Sequence, residues 1–118
     1  MPLPPAVLQA WSQATLTPKP SVEEGWVLAV SPPPGAPPLK KVGPATAEEL
    51  GRRLDQTGVT WSPLTLESGD WRSPGVLIEG LTRGRAMRLA HKLRRWALMR
   101  VTPRGTQVLY TGINDRAR

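Results

Sequence analysis

The spacing of hydrophobic and polar positions predicts three helices, each with a recognisable start or buried face. The first, at about 4–14, begins with prolines, which are tolerated in the first turn of a helix. Its apolar residues Val7, Leu8 and Trp11 fall on one face. The second, at about 47–57, begins with a capping box formed by Thr46 and Glu49. The third, at about 83–95, has an apolar stripe at i, i+3, i+4 and i+7, made of Ala86, Leu89, Ala90 and Leu93.

Short runs rich in strand-forming residues lie between and after these helices. They predict five strands, at about 25–30, 59–66, 74–80, 96–101 and 107–110. Pro63 indicates that the second strand lies at a sheet edge, because proline cannot donate to a neighbouring strand. The six prolines of residues 31–44 predict a mobile surface loop, with a proline-rich ligand for a partner domain as the alternative.

The order of the predicted elements contains a central βαββαβ unit. That unit is typical of an α+β, ferredoxin-like sheet with two helices on one face, here with an extra C-terminal hairpin strand and a short N-terminal helix. A length of 118 residues fits a single domain, 1–118. Its expected parts are a helix and linker over 1–20, the α+β core over 25–112 and a polar tail over 113–118.

Composition narrows the class of protein. Cysteine is absent, which excludes disulfides, thiol catalysis and thiolate metal sites. No stretch approaches the roughly 20 apolar residues of a membrane span, and the N-terminus lacks the features of a signal peptide. We therefore expect a cytoplasmic protein without a membrane partner.

Charge is the strongest functional signal in the sequence. Residues 1–79 hold 6 basic and 8 acidic side chains, a net of −2, whereas residues 80–118 hold 10 basic and 1 acidic, a net of +9. A field of one sign attracts polyanions such as DNA or RNA. The expected nucleic-acid contacts are the basic residues between Glu79 and Asp115, namely Arg83, Arg85, Arg88, Lys92, Arg94, Arg95, Arg100 and Arg104.

The third helix concentrates this charge. At about 100° per residue, four cations fall opposite the apolar stripe: Arg85, Arg88, Lys92 and Arg95. Arg83 and Arg94 flank the stripe. Like charges at these spacings destabilise a helix, whereas bound phosphates would relieve the repulsion and release counterions. The alternatives are a solvated helix face and a surface for an acidic protein partner.

Five tryptophans supply most of the aromatic bulk, since the chain has no phenylalanine and one tyrosine. Trp26 and Trp96 lie inside apolar runs and are expected in the core, and Trp11 is expected to pack the first helix onto the domain. Trp61 and Trp71 could stack on exposed bases. Core packing is nevertheless the preferred interpretation for all five.

Residue types that carry catalysis are sparse. His91, the single histidine, has no neighbouring carboxylate and lies among arginines that disfavour its protonated form. Glu67, Asp70 and Glu79 could bind one metal ion, although no recognised ligand spacing supports it. The sequence thus predicts a protein that is not an enzyme and needs no cofactor. A ligand-binding or enzymatic role would require a pocket near Asp70, Trp71 and Glu79.

Several short motifs are shared with a known family. Residues 69–81, GDWRSPGVLIEGL, contain a Gly/Asp-Trp-x-x-Pro segment followed by an apolar strand and glycine, and residues 48–54, EELGRRL, form a polar helix before it. Over about residues 26–110 the chain resembles a family of small bacterial proteins, the domain of unknown function number 3293. It lacks that family's Trp-Asn pair at residues 27–32, and Leu93-Arg94-Arg95 replaces Phe-Gly-Gln. The resemblance implies an α+β layout and no assigned activity.

Taken together, these features predict a small basic protein that presents a helix to DNA or RNA. Phosphate contacts would dominate, which gives low sequence specificity and strong salt dependence. The main alternative is a protein-interaction module or a homodimer that pairs sheets or edge strands.

Overall fold

The computed structural model describes residues 3–113, which form a six-stranded sheet and three helices. The helices are α1 (Pro5–Ser12), α2 (Ala47–Thr57) and α3 (Arg83–Lys92). The strands are β1 (Thr15–Thr17), β2 (Gly25–Ala29), β3 (Thr60–Ser68), β4 (Trp71–Glu79), β5 (Ala97–Thr102) and β6 (Gly105–Tyr110). Across the sheet the order is β1-β3-β4-β2-β5-β6, and every neighbouring pair is antiparallel.

This arrangement corrects the predicted ferredoxin-like fold with two helices on one face. The sheet is a curled half-barrel of six strands with three helices, and helices cover both of its faces. Strand β1 gives no signal in the sequence, because a three-residue strand before Pro18 and Pro20 is too short to show a period. It extends the sheet beyond β3.

Strand β2 shows how both faces are filled. All five of its residues are buried. Trp26 and Leu28 belong to the apolar cluster beneath α2 and α3, whereas Val27 and Ala29 belong to the cluster beneath α1. Successive side chains of a strand point to opposite faces, so a strand covered on both sides reads as one continuous apolar run. The run alone therefore could not reveal that α1 covers the second face.

Local signals set the ends of α2, and the predicted helix is confirmed. Thr46 Oγ1 accepts a hydrogen bond of 3.1 Å from the backbone N–H of Glu49. The Glu49 carboxylate in turn accepts from the N–H of Ala45 at 3.4 Å. Gly58 closes the helix with a left-handed φ of 75°, a conformation that glycine adopts at little cost.

Helix α3 is shorter than predicted. It ends at Lys92 rather than at residue 95, because Arg94 adopts a left-handed φ of 61° that no helix can include. Its buried side is formed by Ala86 and Ala90, as the apolar stripe predicts. The early end changes the position of Arg95, which no longer belongs to the helix.

The position of β3 differs in part from its prediction as an edge strand. It lies between β1 and β4, but β1 pairs only with residues 65–67 of it. Pro63 therefore faces an edge that is unpaired among the described residues, where its missing N–H costs no sheet hydrogen bond. Strand β4 begins at Trp71, directly after the turn at Gly69 and Asp70.

The predicted polar tail starts later than expected. Ile113 is buried in the cluster beneath α1, so it belongs to the core. The rest of that tail, residues 114–118, lies outside the described residues.

Candidate functional site

Three cations stand together on the solvent side of α3. Arg85, Arg88 and Lys92 are exposed, at spacings of three and four residues that align them along one side of the helix. Ala86 and Ala90 fix this orientation, since they face the sheet and are buried. None of the three cations forms a salt bridge with a residue between 3 and 113. This group is termed the α3 face below.

A shallow groove of about 550 Å³ adjoins the end of the α3 face. It lies between α2, residues 41–44 and the residues around the end of α3. Its described lining holds a single carboxylate, Glu49, and five basic side chains, from Lys41, Arg52, Arg53, Lys92 and Arg94. It is termed the basic groove, and Lys92 belongs both to it and to the α3 face.

Helix α2 contributes two arginines to the basic groove, although its net charge does not indicate a basic surface. Both are exposed: Arg52 lies opposite the buried Leu50 and Leu54, and Arg53 lies beside that buried stripe. Over residues 47–57 these two arginines are outnumbered by three acidic residues. The carboxylate of Asp55, however, accepts a 2.7 Å hydrogen bond from the Trp61 indole. The sum of charges along α2 therefore does not reveal its basic contribution to the groove. That contribution becomes apparent only when the exposed positions of the helix are considered one by one.

Arg95 is not on the exposed helix face where the sequence predicts it. The chain leaves α3 through the left-handed Arg94, and Arg95 is only 8% exposed. Its guanidinium donates to the backbone carbonyl of Val30 at 2.7 Å and to that of Pro44. Burial lowers the pKa of Arg95 to about 10, which leaves it protonated at neutral pH. Arg95 therefore acts as an internal anchor.

The remaining predicted cations are spread over the molecule. Arg94 lines the basic groove and donates from Nε to the Lys41 carbonyl at 3.3 Å. Arg100, on β5, forms a salt bridge of 2.7 Å with Glu24. Arg83 is exposed in the first turn of α3, and Arg104 is exposed in the turn between β5 and β6. Of the eight predicted contacts, the basic groove thus includes Lys92 and Arg94.

Burial removes one of the two proposed stacking residues. Trp71 is 4% exposed and meets Trp11 edge-on, with ring centroids 6.0 Å apart. The preferred prediction of core packing is therefore confirmed for Trp71, and the stacking alternative is excluded. Trp61 is half-buried and packs against Gly51 of α2. The core positions predicted for Trp11, Trp26 and Trp96 are confirmed.

The acidic residues considered as metal ligands do not come together. Asp70 precedes β4 and Glu79 ends it, so about nine residues of extended chain, or roughly 30 Å, separate them. Glu67 forms a salt bridge of 3.2 Å with Arg72 instead. Within residues 3–113 no three side chains of histidine, cysteine, aspartate or glutamate converge. His91 is exposed on α3.

A second concavity, of about 270 Å³, lies beneath the proline-rich loop. Its walls come from Trp11 of α1, the end of β2, the loop itself and residues 94–97. Most of its lining is apolar, and the buried Arg95 forms part of it. It is termed the loop pocket. The sequence predicts a possible pocket near Asp70, Trp71 and Glu79, and it contains no signal for a pocket beneath residues 31–44.

Comparisons with known proteins identify no relative. The chain matches no protein-family model, no curated protein and no solved structure. Among residues 3–113, no helix has the length and apolar character needed to cross a bilayer.

Proposed function

We propose that this protein binds a polyanion, DNA or RNA, through the basic groove and the α3 face. The observation that carries the proposal is the convergence of cations from three separate segments, α2, α3 and residues 41–44, around a single carboxylate. Arginine presents a planar fork of donors that matches phosphate geometry, and lysine adds a compact charge. Phosphate groups are therefore the natural ligands of such a surface.

Energetics supports a bound partner for this surface. Like charges held close together repel each other, and the α3 face has no salt bridge to a described residue that would offset this repulsion. Phosphates neutralise these cations and release condensed counterions into solution. About five such contacts would give an affinity that falls by roughly two to three orders of magnitude between 50 and 200 mM salt.

Contacts to the phosphate backbone are favoured over contacts to bases. Trp71 is buried, and Trp61 is half-buried and held against α2 by its hydrogen bond to Asp55, so neither is a fully exposed platform for an unstacked base. Phosphate contacts position a protein on nucleic acid without reading its sequence. The proposed ligand is thus a duplex bound with low sequence specificity.

Charge reversal at two matched pairs of sites tests this proposal. Arg53→Glu with Lys92→Glu reverses two cations of the basic groove, whereas Lys19→Glu with Arg104→Glu makes the same change of net charge at exposed sites outside it. Labelled duplex DNA, single-stranded DNA and RNA are titrated with each protein at about 50 mM salt. The groove variant should bind at least about 100-fold more weakly than the parent chain, and the control within about tenfold.

Two results would overturn the proposal. One is the absence of binding to any of the three nucleic acids at low salt. The other is an equal loss in both charge-reversal variants, which would assign any binding to net charge rather than to the groove. Circular dichroism of each variant verifies that the fold is retained.

A role in protein association is the alternative, and the open edge of β6 favours it. Within the part of the chain that the structure describes, this strand pairs with β5 alone, and its residues 105–107 are exposed. An unpaired strand edge can pair with another chain, as in a homodimer, or receive a different protein partner. Under this alternative the sedimentation mass rises with concentration, nucleic acid has no effect on it, and Thr106→Pro abolishes the rise, because the Thr106 N–H points away from β5 to the open edge.

Three further attributes belong to the same proposal. The absence of cysteine supports a cytoplasmic location. A binding role without catalysis is supported by the three arginines of the basic groove, whose guanidinium groups stay protonated and hold phosphate. Membership of the domain of unknown function number 3293 is supported by the motif at residues 69–81.

A further inference from the structure

The loop pocket combines an apolar wall with a buried cation. Trp11 and Trp96 line it, together with small residues of β2 and β5 such as Ala29 and Ala97. The proline-rich loop supplies another wall, which includes Leu39. A volume of about 270 Å³ lies just below the ~300–1,000 Å³ of typical ligand sites, so an occupant would be small.

The cation is Arg95, and its hydrogen bonding is incomplete. The terminal nitrogens donate to the carbonyls of Val30 and Pro44, while Nε is buried with no partner among the described residues. No carboxylate between residues 3 and 113 forms a salt bridge with it. Buried charges in proteins are normally paired and fully hydrogen-bonded, because an uncompensated one is costly. Among residues 3–113, Arg95 therefore has no anion that would balance its buried charge.

We propose that the loop pocket binds a small apolar carboxylate. Its hydrocarbon body would pack between Trp11, Trp96 and the proline-rich loop, and its carboxylate would pair with Arg95. The pairing supplies the negative charge that Arg95 lacks among the described residues and adds a charged acceptor for its guanidinium. The loop pocket adjoins the basic groove and shares residues 42–44 and Arg94 with it. This inference does not rest on the proposed polyanion binding, because Trp11, Arg95 and Trp96 line the loop pocket alone.

A carboxylate fits the loop pocket better than a phosphate or a neutral ligand. A phosphate carries more charge and needs more donors than Arg95 can supply, since its guanidinium already serves two carbonyls. Arg94, the other cation of the lining, donates from Nε to the Lys41 carbonyl. A neutral ligand would leave Arg95 without a counter-charge. An apolar monoanion can both pack against the apolar wall and balance the charge of Arg95.

Matched probes test the assignment. The probes are 1-naphthoate and its uncharged analogue naphthalene-1-carboxamide, titrated by calorimetry and by NMR of the tryptophan indole N–H groups. Naphthoate should bind at least about tenfold more tightly than the carboxamide. It should also shift the indole signals of Trp11 and Trp96 in preference to that of Trp26, which lies in the other apolar cluster.

Variants separate the loop pocket from the rest of the surface. Ala36→Trp places a large side chain in the pocket wall and should abolish naphthoate binding, whereas Ala6→Trp, at an exposed position of α1 outside the pocket, should preserve it. Arg95→Gln should remove the preference for the charged probe. Should that variant fail to fold, Ala36→Trp and the probe comparison still decide the question.

The proposal is overturned by any of three results. Naphthoate does not bind at about 1 mM, the carboxamide binds as tightly as naphthoate, or Ala36→Trp binds naphthoate like the parent chain. Binding that is lost in the charge-reversal variant of the basic groove but kept in Ala36→Trp would assign the anion to that groove instead.

Discussion

Arg95 donates a 2.7 Å hydrogen bond to the backbone carbonyl of Val30, 65 residues earlier in the chain. The same guanidinium also donates to the carbonyl of Pro44, so one side chain ties both ends of the proline-rich loop. Pro33 and Pro44 within this loop are buried. The loop is therefore packed onto the domain, where it forms walls of both the loop pocket and the basic groove.

Replacing this anchor should destabilise the protein. Arg95→Met removes both hydrogen bonds and leaves the carbonyls of Val30 and Pro44 without that donor, at an expected cost of about 3 kcal/mol. Arg88→Met is the control, because Arg88 is exposed and its loss should change the free energy of unfolding by no more than about 0.5 kcal/mol. Urea unfolding measures both. Similar midpoints for the two variants would show that Arg95 is not an anchor.

Two helical glycines should respond in opposite directions to the same substitution. At Gly51 an added Cβ would lie 2.8 Å from the Trp61 indole, so Gly51→Ala must displace that ring and strain its bond to Asp55. At Gly84 a Cβ would meet nothing within 4 Å. Thermal unfolding should show Gly51→Ala destabilised by about 1–2 kcal/mol and Gly84→Ala stabilised by about 0.5 kcal/mol. A stabilised Gly51→Ala would contradict the packing of Trp61 on α2.

Ser73 links β4 to the start of the proline-rich loop. Its fully buried hydroxyl accepts from the Ser31 N–H at 3.0 Å and donates to the Pro74 carbonyl at 2.7 Å. Ser73→Ala should cost about 1–3 kcal/mol, because both backbone groups lose this partner. The matched change Ser62→Ala, at an exposed position of β3, should be nearly neutral in the same denaturant titration. A cost at Ser62 equal to that at Ser73 would refute this role.

Local chemistry explains which parts of the fold were predictable. The limits of α2 follow from Thr46, Glu49 and Gly58, which act within a few residues of one another. The end of α3 does not follow from nearby residues. The left-handed turn at Arg94 accompanies the contacts that Arg94 and Arg95 make with the proline-rich loop. Such contacts join residues about 50 positions apart, and no periodicity of the sequence encodes them.

The candidate site was likewise predictable only in part from the sequence. The α3 face was predictable because Ala86 and Ala90 fix the side on which Arg85, Arg88 and Lys92 emerge. The basic groove was not, since its other cations come from α2 and from the loop, and meet only in the folded chain. The sequence also predicted Arg95 on the exposed side of α3, whereas the structure buries it as an anchor. The sequence thus shows that the C-terminal third is positively charged. It does not show which of its cations are buried anchors and which are exposed on the surface.

The salt dependence of duplex DNA binding tests the central claim most directly. The logarithm of the association constant should fall linearly with the logarithm of salt concentration, with a slope of about −4 for roughly five phosphate contacts. Neutralising two groove cations, in Arg53→Gln with Lys92→Gln, should reduce the magnitude of the slope by about 2, whereas Lys19→Gln with Arg104→Gln should leave it unchanged. A flat dependence, or equal slopes for the groove and control variants, would contradict polyanion binding at the basic groove.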